Sequence, residues 1–500
     1  MTFPDLFRLA RAAMALLLLA GCGTQVVNPV SGRSERTVMD EPSEIAEGRK
    51  AHQQVLTEYG ALASPRLQTY VNDVGQKLAK HSHRANLQWT FTVLDSPEIN
   101  AFALPGGYVY VTRGIMAYMD SEADLAGVIG HEIGHVTARH GAQRATSQQN
   151  AGIGVLAATV LGVLIEGATG AQGVAQAASQ LGQGVAAGRL ASYSREQESQ
   201  ADGLGAEYLS RAGYNPRNLV DVIQILQSQE RFAADQAKAE GRPSPADGGW
   251  LASHPSNSKR LADMQQVAAR YSGSYDDDGR ARYLQAIDRV PFGETSAQGL
   301  TRGRNFYHDQ LGIALTAPPG WQIRNGADAV TVVNGTGDAG LIVRLVPPSA
   351  GSTHEEIIRN VIKPSDGRTE RRSFNGLSAT HFEGTRRNAQ GDSQGVVVTV
   401  VTGPANRNYL VQYAAKDAAA LQRAARQLSE AEASFRPLSA SDRAAAQPWT
   451  LHIVAYPAGG FSELARRSPL PTAEAALRLL NGVYGGGSEP RQGSPVKVVR

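Results

Sequence analysis

The chain has one cysteine, Cys22, so no disulfide can form within it. It has no strong charge of either sign: 49 Lys and Arg against 46 Asp and Glu give +3 over 500 residues. Aromatic residues are scarce, at 6%, and none interleave with a basic stripe. Together these exclude nucleic acid as the main partner. No apolar run is long enough to span a bilayer, which takes ~20 residues; Ala151 to Ile165 is fifteen residues, rich in Gly and Ala. At 500 residues the chain is too long for one core, and two to four domains are expected.

What is present begins with His131-Glu132-Ile133-Gly134-His135. Two histidines four apart on a helix lie one turn above each other on one face. Two neutral imidazoles so placed can hold one Zn²⁺, and Glu132 between them can take a proton from water acidified by the ion. The alternative is a surface helix with two incidental histidines. Ser121, Glu122 and Asp124 supply a cap and early acids, and Leu125, Val128, Ile129 and Val136 form an apolar stripe. Gly134 costs about 1 kcal/mol in mid-helix, which predicts that something packs closely there.

The N-terminus carries a second signal. Arg8 and Arg11 precede the apolar run from Ala12 to Ala20, a secretory pattern over residues 1–21. Leu19-Ala20-Gly21-Cys22 resembles the lipobox of bacterial lipoproteins. That resemblance implies lipidation of Cys22. Gly23, in place of Asp, implies an outer-membrane anchor facing the periplasm. Residues 22–42 are polar, with Asn, Pro, Ser and Gly, and read as a flexible tether.

Helical patterns begin at Ser43 and Pro65, and Leu87 to Leu94 alternates as a strand. Pro105-Gly106-Gly107 is a turn, and Tyr108 to Thr112 a strand. An exposed edge here could pair with an extended peptide; a plain hairpin is the other reading. The insertion over 151–187 is either a helical hairpin leaning on a membrane surface or partner, or a loosely packed helical insertion.

A third metal ligand is expected on the helix that starts at Ser194. Glu198 and Asp202 lie one turn apart, so a carboxylate ligand and an orienting acid fit the pair, although spacing alone does not separate Glu196 from Glu198. The metzincin pattern fails, because Ala138 and Gly141 stand where it needs glycine and histidine, so His140 reads as structural.

His131-Glu-Ile-Gly-His135, Glu198-Ser-Gln-Ala-Asp202 and Asn100-Ala-Phe-Ala-Leu-Pro-Gly-Gly together resemble the CAAX prenyl protease type I group of zinc peptidases, its periplasmic members above all. The resemblance covers roughly residues 43 to 270. It implies His131, His135 and Glu198 as ligands of one Zn²⁺, Glu132 as general base and Asp202 behind a ligand. It places Asn100 and Ala101 on the strand that receives substrate. Ser253-His254-Pro255, followed by Arg260, also occurs in that group. His254 could donate to the oxyanion, occupy the open metal position and hold the enzyme inactive, or merely cap a helix.

The expected fold is α+β: a mostly helical peptidase domain over 43–275 with a small sheet, a linker over 276–304, and an α+β domain over 305–440. Residues 446–500, strand, two helices, strand, resemble a degenerate LysM module. That resemblance implies peptidoglycan binding, but Ala458-Gly459-Gly460 departs from its usual opening, which leaves a vestigial fold as the alternative. The resulting expectation is a lipid-anchored zinc endopeptidase of the bacterial envelope acting on misfolded or unassembled envelope proteins, in contact with outer-membrane assembly machinery or peptidoglycan. A non-catalytic assembly factor and a peptidoglycan-binding scaffold are the competing expectations.

Overall fold

The computed structural model describes residues 24–149, 193–239, 241, 250–254, 258–326, 328–387 and 391–500. Cys22, the signal segment and the 151–187 insertion lie outside the described residues. The chain forms two units, Met1–Val290 with Leu451–Arg500, and Pro291–Thr450. Helices and several sheets in both make it an α+β protein.

The first unit opens with an antiparallel ribbon, β1 (Thr24–Val27) on β2 (Ser34–Thr37). This corrects the flexible tether expected over 22–42. The residues that suggested a tether close a hairpin: Asn28 Oδ1 accepts from the N–H groups of Val30 and Ser31 at 2.9 and 3.1 Å, and Gly32 takes φ 65°. Helix α1 (Glu41–Tyr59) is capped by Asp40, and α2 (Pro65–Ala79) buries Leu67, Val71, Val74 and Leu78 at helical spacing.

A three-stranded sheet follows: β3 (Thr90–Leu94), β4 (Ala101–Leu104) and β5 (Tyr108–Thr112). Its order is β3-β5-β4, so β4 is an edge strand. The turn between β4 and β5 needs Gly106, whose φ is 83° and whose missing Cβ would lie 2.8 Å from Ile45 Cα. Helix α3 (Arg113–Tyr118) leads to α4 (Glu122–Thr137), every residue of which is buried. Then come α5 (140–149) and α6 (Arg195–Arg211), which crosses α4 closely. A Cβ at Gly134 would sit 2.8 Å from Ala201 O, and one at Gly205 would sit 3.1 Å from His131 N. The close packing expected at Gly134 is this helix crossing.

Helices α7 (Asn218–Ala239), α8 (Trp250–Ser253), α9 (Ser258–Ala268) and α10 (Arg280–Ile287) complete this part. Helix α10 corrects the linker expected over 276–304. It buries Tyr283, Leu284 and Ile287, and the Tyr283 hydroxyl donates to Met116 O at 2.5 Å.

The second unit starts at β6 (Pro291–Phe292). Strands β7 (Leu300–Arg302), β8 (Asn305–His308), β9 (Ile313–Thr316) and β17 (Arg436–Pro437) make a four-stranded sheet. A seven-stranded antiparallel sheet uses β10 (Gln322–Asn325), β11 (Val330–Val333), β12 (Ala339–Leu345), β13 (Pro364–Phe374), β14 (Leu377–Arg387), β15 (Ser393–Thr402) and β16 (Asn408–Ala415). Its order is β10-β11-β12-β16-β15-β14-β13. Ile357, Ile358 and Ile362, beginning in α11 (His354–Ile357), pack on Phe382, Val398 and Leu410. Helix α12 (Ala418–Ala433) buries Ala424, Leu428 and Ala431 against Val332, Leu341 and Val411. The short α13 (Ala440–Ala445) follows.

The last segment runs β18 (Trp449–Ala455), α14 (Gly460–Ala465), α15 (Ala473–Leu480) and β19 (Pro495–Val499), with β18 and β19 antiparallel. From Leu451 onward it belongs to the first unit. Fully buried Lys497 donates from Nζ to Met119 O at 2.6 Å, just ahead of the cap of α4. Burial pushes its ammonium below the usual lysine range.

Candidate metal centre

The site is built on α4. Ser121 Oγ accepts from Asp124 N at 3.1 Å, and Asp124 Oδ2 accepts from Ser121 N at 3.1 Å, a reciprocal cap. Burial raises the Asp124 carboxyl to about 6, against the bond from Asn218 Nδ2. One turn above another, His131 and His135 face α6, with Glu132 beside them. Helix α6 is capped by Ser194 and Gln197. Its geometry separates the two candidate acids: Glu196 is exposed, while Glu198 and Asp202 are buried toward α4.

Four donor atoms converge. His131 Nε2 lies 3.0 Å from His135 Nε2 and 3.1 Å from His254 Nδ1. Glu198 Oε1 lies 3.3 Å from His135 Nε2 and 3.0 Å from His254 Nδ1. Metal–nitrogen bonds of about 2.0–2.1 Å in a tetrahedron put neighbouring donors roughly 3.3 Å apart, so these atoms fit one ion. Their protonation agrees. His131 Nδ1 faces Asp202 Oδ1 at 2.9 Å, which favours a proton on Nδ1 and a lone pair on Nε2. Two Nε2 lone pairs and a carboxylate aimed at one point repel each other unless a cation lies between them.

Arg260 locks the acids from behind. Its Nε and Nη2 donate to Asp202 Oδ2 and Oδ1, both at 2.8 Å, and Nη1 lies 2.6 Å from Glu198 Oε2. Burial works to raise both carboxyls. Glu198 is nonetheless held well below the usual carboxylate range by His135, His254 and His131, and Asp202 is held low by Arg260 and His131.

Glu132 is fully buried, and burial pushes its carboxyl up to about 7, against the opposing pull of His131 and Trp250. Trp250 Nε1 donates to its Oε1 at 3.0 Å. Among the described residues, Oε2 has no hydrogen-bond partner. His254 stands within the donor set, stacked on Trp250 at 4.6 Å between ring centroids. Its Nε2 is 3.5 Å from Glu132 Oε1. The sequence reading found three protein ligands; the structure brings a fourth donor to them.

Ala101 begins the edge strand β4 and Asn100 precedes it. Trp250 N donates to Ile99 O at 2.8 Å, which ties α8 to the start of that strand. Sequence reasoning gave no role to Trp250, Tyr193 or Gln200 and left Arg260 as a motif companion. Tyr193 stacks on His135 at 3.9 Å. His140 has its Nδ1 2.8 Å from His135 Nδ1, and burial pushes it down to about 4. The bend between α4 and α5 brings it there: Arg139 takes φ 61°, and an uninterrupted helix would carry the fifth residue after His135 to another face.

Residues 65–268 match the family described as Peptidase family M48. The beta-barrel assembly-enhancing protease of Escherichia coli K12 is 30% identical over 247 residues, 48% of this chain and 47% of that one. The corresponding Yersinia pestis protein is 27% identical over 259 residues, half of each chain. The mitochondrial metalloendopeptidase OMA1 of Schizosaccharomyces pombe is 30% identical over 243 residues, 48% of this chain and 65% of that one. The chain spans about half the length of the bacterial relatives it matches.

Proposed function

With residues 65–268 belonging to peptidase family M48, we propose that the protein is a zinc-dependent endopeptidase of the bacterial cell envelope. Its substrates are misfolded or unassembled envelope proteins. The observation that carries the reading is the convergence of His131 Nε2, His135 Nε2 and Glu198 Oε1, with adjacent distances of 3.0 and 3.3 Å, beside buried Glu132. Two imidazoles and a carboxylate suit one Zn²⁺ per chain. Held there, the ion supplies Lewis acidity, lowering the pKa of water and polarising a peptide carbonyl.

The chain's own residues do the rest. Glu132 takes a proton from the attacking water at Oε2, the oxygen without a hydrogen-bond partner among the described residues, and gives it to the amine nitrogen as the C–N bond breaks. The water oxygen stays on the acyl carbon. Asp202 and Arg260 fix the ligands, and β4, with Asn100 and Ala101 at its start, pairs with an extended substrate by backbone hydrogen bonds. His254 holds the site latent while it fills the fourth donor position. The envelope location rests on the lipobox-like stretch at Cys22 and on the name carried by the bacterial relatives. Glycan binding by 446–500 rests on its strand, helix, helix, strand order.

One observation favours a second reading. Four protein donors make a closed arrangement, typical of structural zinc, so a non-catalytic assembly factor also suits His254 where it stands. The test uses residues 23–500 as wild type, Glu132→Gln and His254→Ala, with unfolded outer-membrane protein as substrate and zinc content measured. Cleavage by wild type or by His254→Ala, lost in Glu132→Gln with zinc retained, supports the peptidase. If neither wild type nor His254→Ala cleaves and His254→Ala sheds its zinc, the assembly factor stands. Retention of the same chain on purified sacculi tests the glycan role.

A further inference from the structure

We infer that His140 and Gln200 are positioning residues: a hydrogen-bond relay from Gln200 through His140 sets which nitrogen of His135 carries its proton. The inference rests on the metal-site reading above. His135 can ligate through Nε2 only if its proton is on Nδ1. That Nδ1 lies 2.8 Å from His140 Nδ1, and a neutral pair at this distance needs one donor and one acceptor. At the far side of His140, Nε2 lies 3.0 Å from the Gln200 amide, whose oxygen is the acceptor in this arrangement. An amide oxygen there takes a proton from His140 Nε2 and leaves His140 Nδ1 as the acceptor. His135 Nδ1 must then be the donor, and its Nε2 is free for the ion.

With the amide reversed, every bond in the relay reverses, and His135 Nε2 carries a hydrogen into the donor cluster. The relay therefore has two polarities, and only one is compatible with a metal. The structure restrains its members. His140 is fully buried, and Tyr193 stacks on His135 at 3.9 Å and 23°, which limits ring rotation. The turn that delivers His140 is pinned at Ala138 O, which accepts from Asn28 Nδ2 at 3.2 Å and from Gln143 Nε2 at 3.3 Å. Gln200 itself is only half-buried, between the two acids of α6, so its side chain can be exchanged without opening the core.

The experiment measures Zn²⁺ affinity of the metal-stripped chain by competition with a chromophoric chelator, together with thermal unfolding of the same metal-free samples. The variants are His140→Phe, Gln200→Glu, Gln200→Lys and, as charge controls one residue away on an exposed position, Ser199→Glu and Ser199→Lys. Partners behind metal ligands typically change affinity by about 10–100-fold. His140→Phe should lose that much. Gln200→Glu, an acceptor only, should bind as tightly as wild type or tighter. Gln200→Lys, a donor only, should fall with His140→Phe, while both Ser199 variants stay near wild type. Equal weakening by Gln200→Lys and Ser199→Lys would reduce the effect to charge and overturn the relay. So would wild-type affinity in His140→Phe. A wild type that binds no Zn²⁺ would bring down the metal-site reading, and the relay with it.

Discussion

Replacing Gly134 by alanine sets two known effects against each other. In an exposed helix the change gains about 1 kcal/mol, because glycine is the poorer helix former. At position 134 the new Cβ would lie 2.8 Å from Ala201 O, 3.1 Å from Ala201 Cα and 3.3 Å from Leu204 Cβ. Two of these are backbone atoms of α6 and cannot rotate away. Ordinary contact requires roughly half an ångström more, so α4 and α6 must separate. Overpacking of this kind costs typically 1–3 kcal/mol, which leaves a net loss of about 0–2 kcal/mol. The larger consequence falls on the site, because α4 carries two imidazoles and α6 carries Glu198 across the same gap. Gly203 on α6 is the control, since a Cβ there meets nothing within 4 Å. Gly203→Ala should gain up to about 1 kcal/mol and leave zinc affinity unchanged. Gly134→Ala should be neutral to less stable and bind zinc at least tenfold more weakly. Urea unfolding and chelator competition on both variants give the answer. Equal stability gains, or unchanged zinc affinity in Gly134→Ala, would refute the argument that the glycines set the ligand spacing.

Other outcomes follow from the same geometry. Glu132→Gln should retain zinc and lose about 10²–10⁴-fold in turnover, read by peptide cleavage with metal analysis. Asp202→Ala leaves buried Arg260 without its bidentate partner; it should cost about 3–5 kcal/mol in urea unfolding and weaken zinc binding about 10–100-fold by chelator competition. Removing the metal should lower the melting temperature, since an ion at 1,000 times its dissociation constant contributes about 4 kcal/mol; identical melting curves with and without chelator would count against any bound ion. Asn28→Ala breaks both the turn of the N-terminal ribbon and its bond to Ala138 O. It should make 24–37 sensitive to limited proteolysis while the rest of the chain resists.

The sequence was most informative where chemistry and helical spacing coincide. His131 and His135 four apart, the Ser121 cap and the Glu198 to Asp202 turn could all be placed because one regular helix fixes each set. Strands β11, β12 and β16 carry the β-branched and aromatic runs Val330 to Val333, Leu341 to Val346 and Tyr409 to Tyr413, a pattern legible in sequence although it does not give the strand ends. Strands β13 and β14 were not legible, because their outward residues are charged and polar; Asn375-Gly376, at φ 52° and 78°, was the hairpin signal passed over. The 24–37 ribbon was missed for a similar reason, since a strand pair with few buried side chains carries no apolar alternation. His140, read as structural, is no member of the donor set; its meeting with His135 depends on the positive φ of Arg139, and nothing in the residue type announces that bend. Trp250 comes from an element far along the chain, and its meeting with Glu132 has no local pattern; a place for His254 at the metal position was one of the options its motif offered, and only the tertiary structure puts it among the donors.

The four donors are not held alike. His131 and His135 sit on a sixteen-residue helix buried along its whole length, and Glu198 on a seventeen-residue helix pressed against it. His254 follows a four-residue helix. Among the described residues its segment is tied by few backbone bonds, among them Trp250 N to Ile99 O, His254 N to Trp250 O, Tyr193 N to Ser253 O, and Arg260 Nη1 to His254 O at 3.1 Å. Hydrogen bonds of this kind contribute about 0.5–1.5 kcal/mol each, so a few of them amount to a few kcal/mol, the scale that leaves a minor state at 0.1–10%. Under the latent-peptidase reading, that fraction multiplies the apparent activity. His254→Ala should then raise turnover by one to three orders of magnitude while three ligands keep the zinc. A structural site would respond in the opposite sense: losing one donor of four would release metal and gain no activity. Trp250 sharpens the contrast, because the same short helix that supplies His254 also caps Glu132 Oε1, so one displacement would free both the fourth metal position and the base.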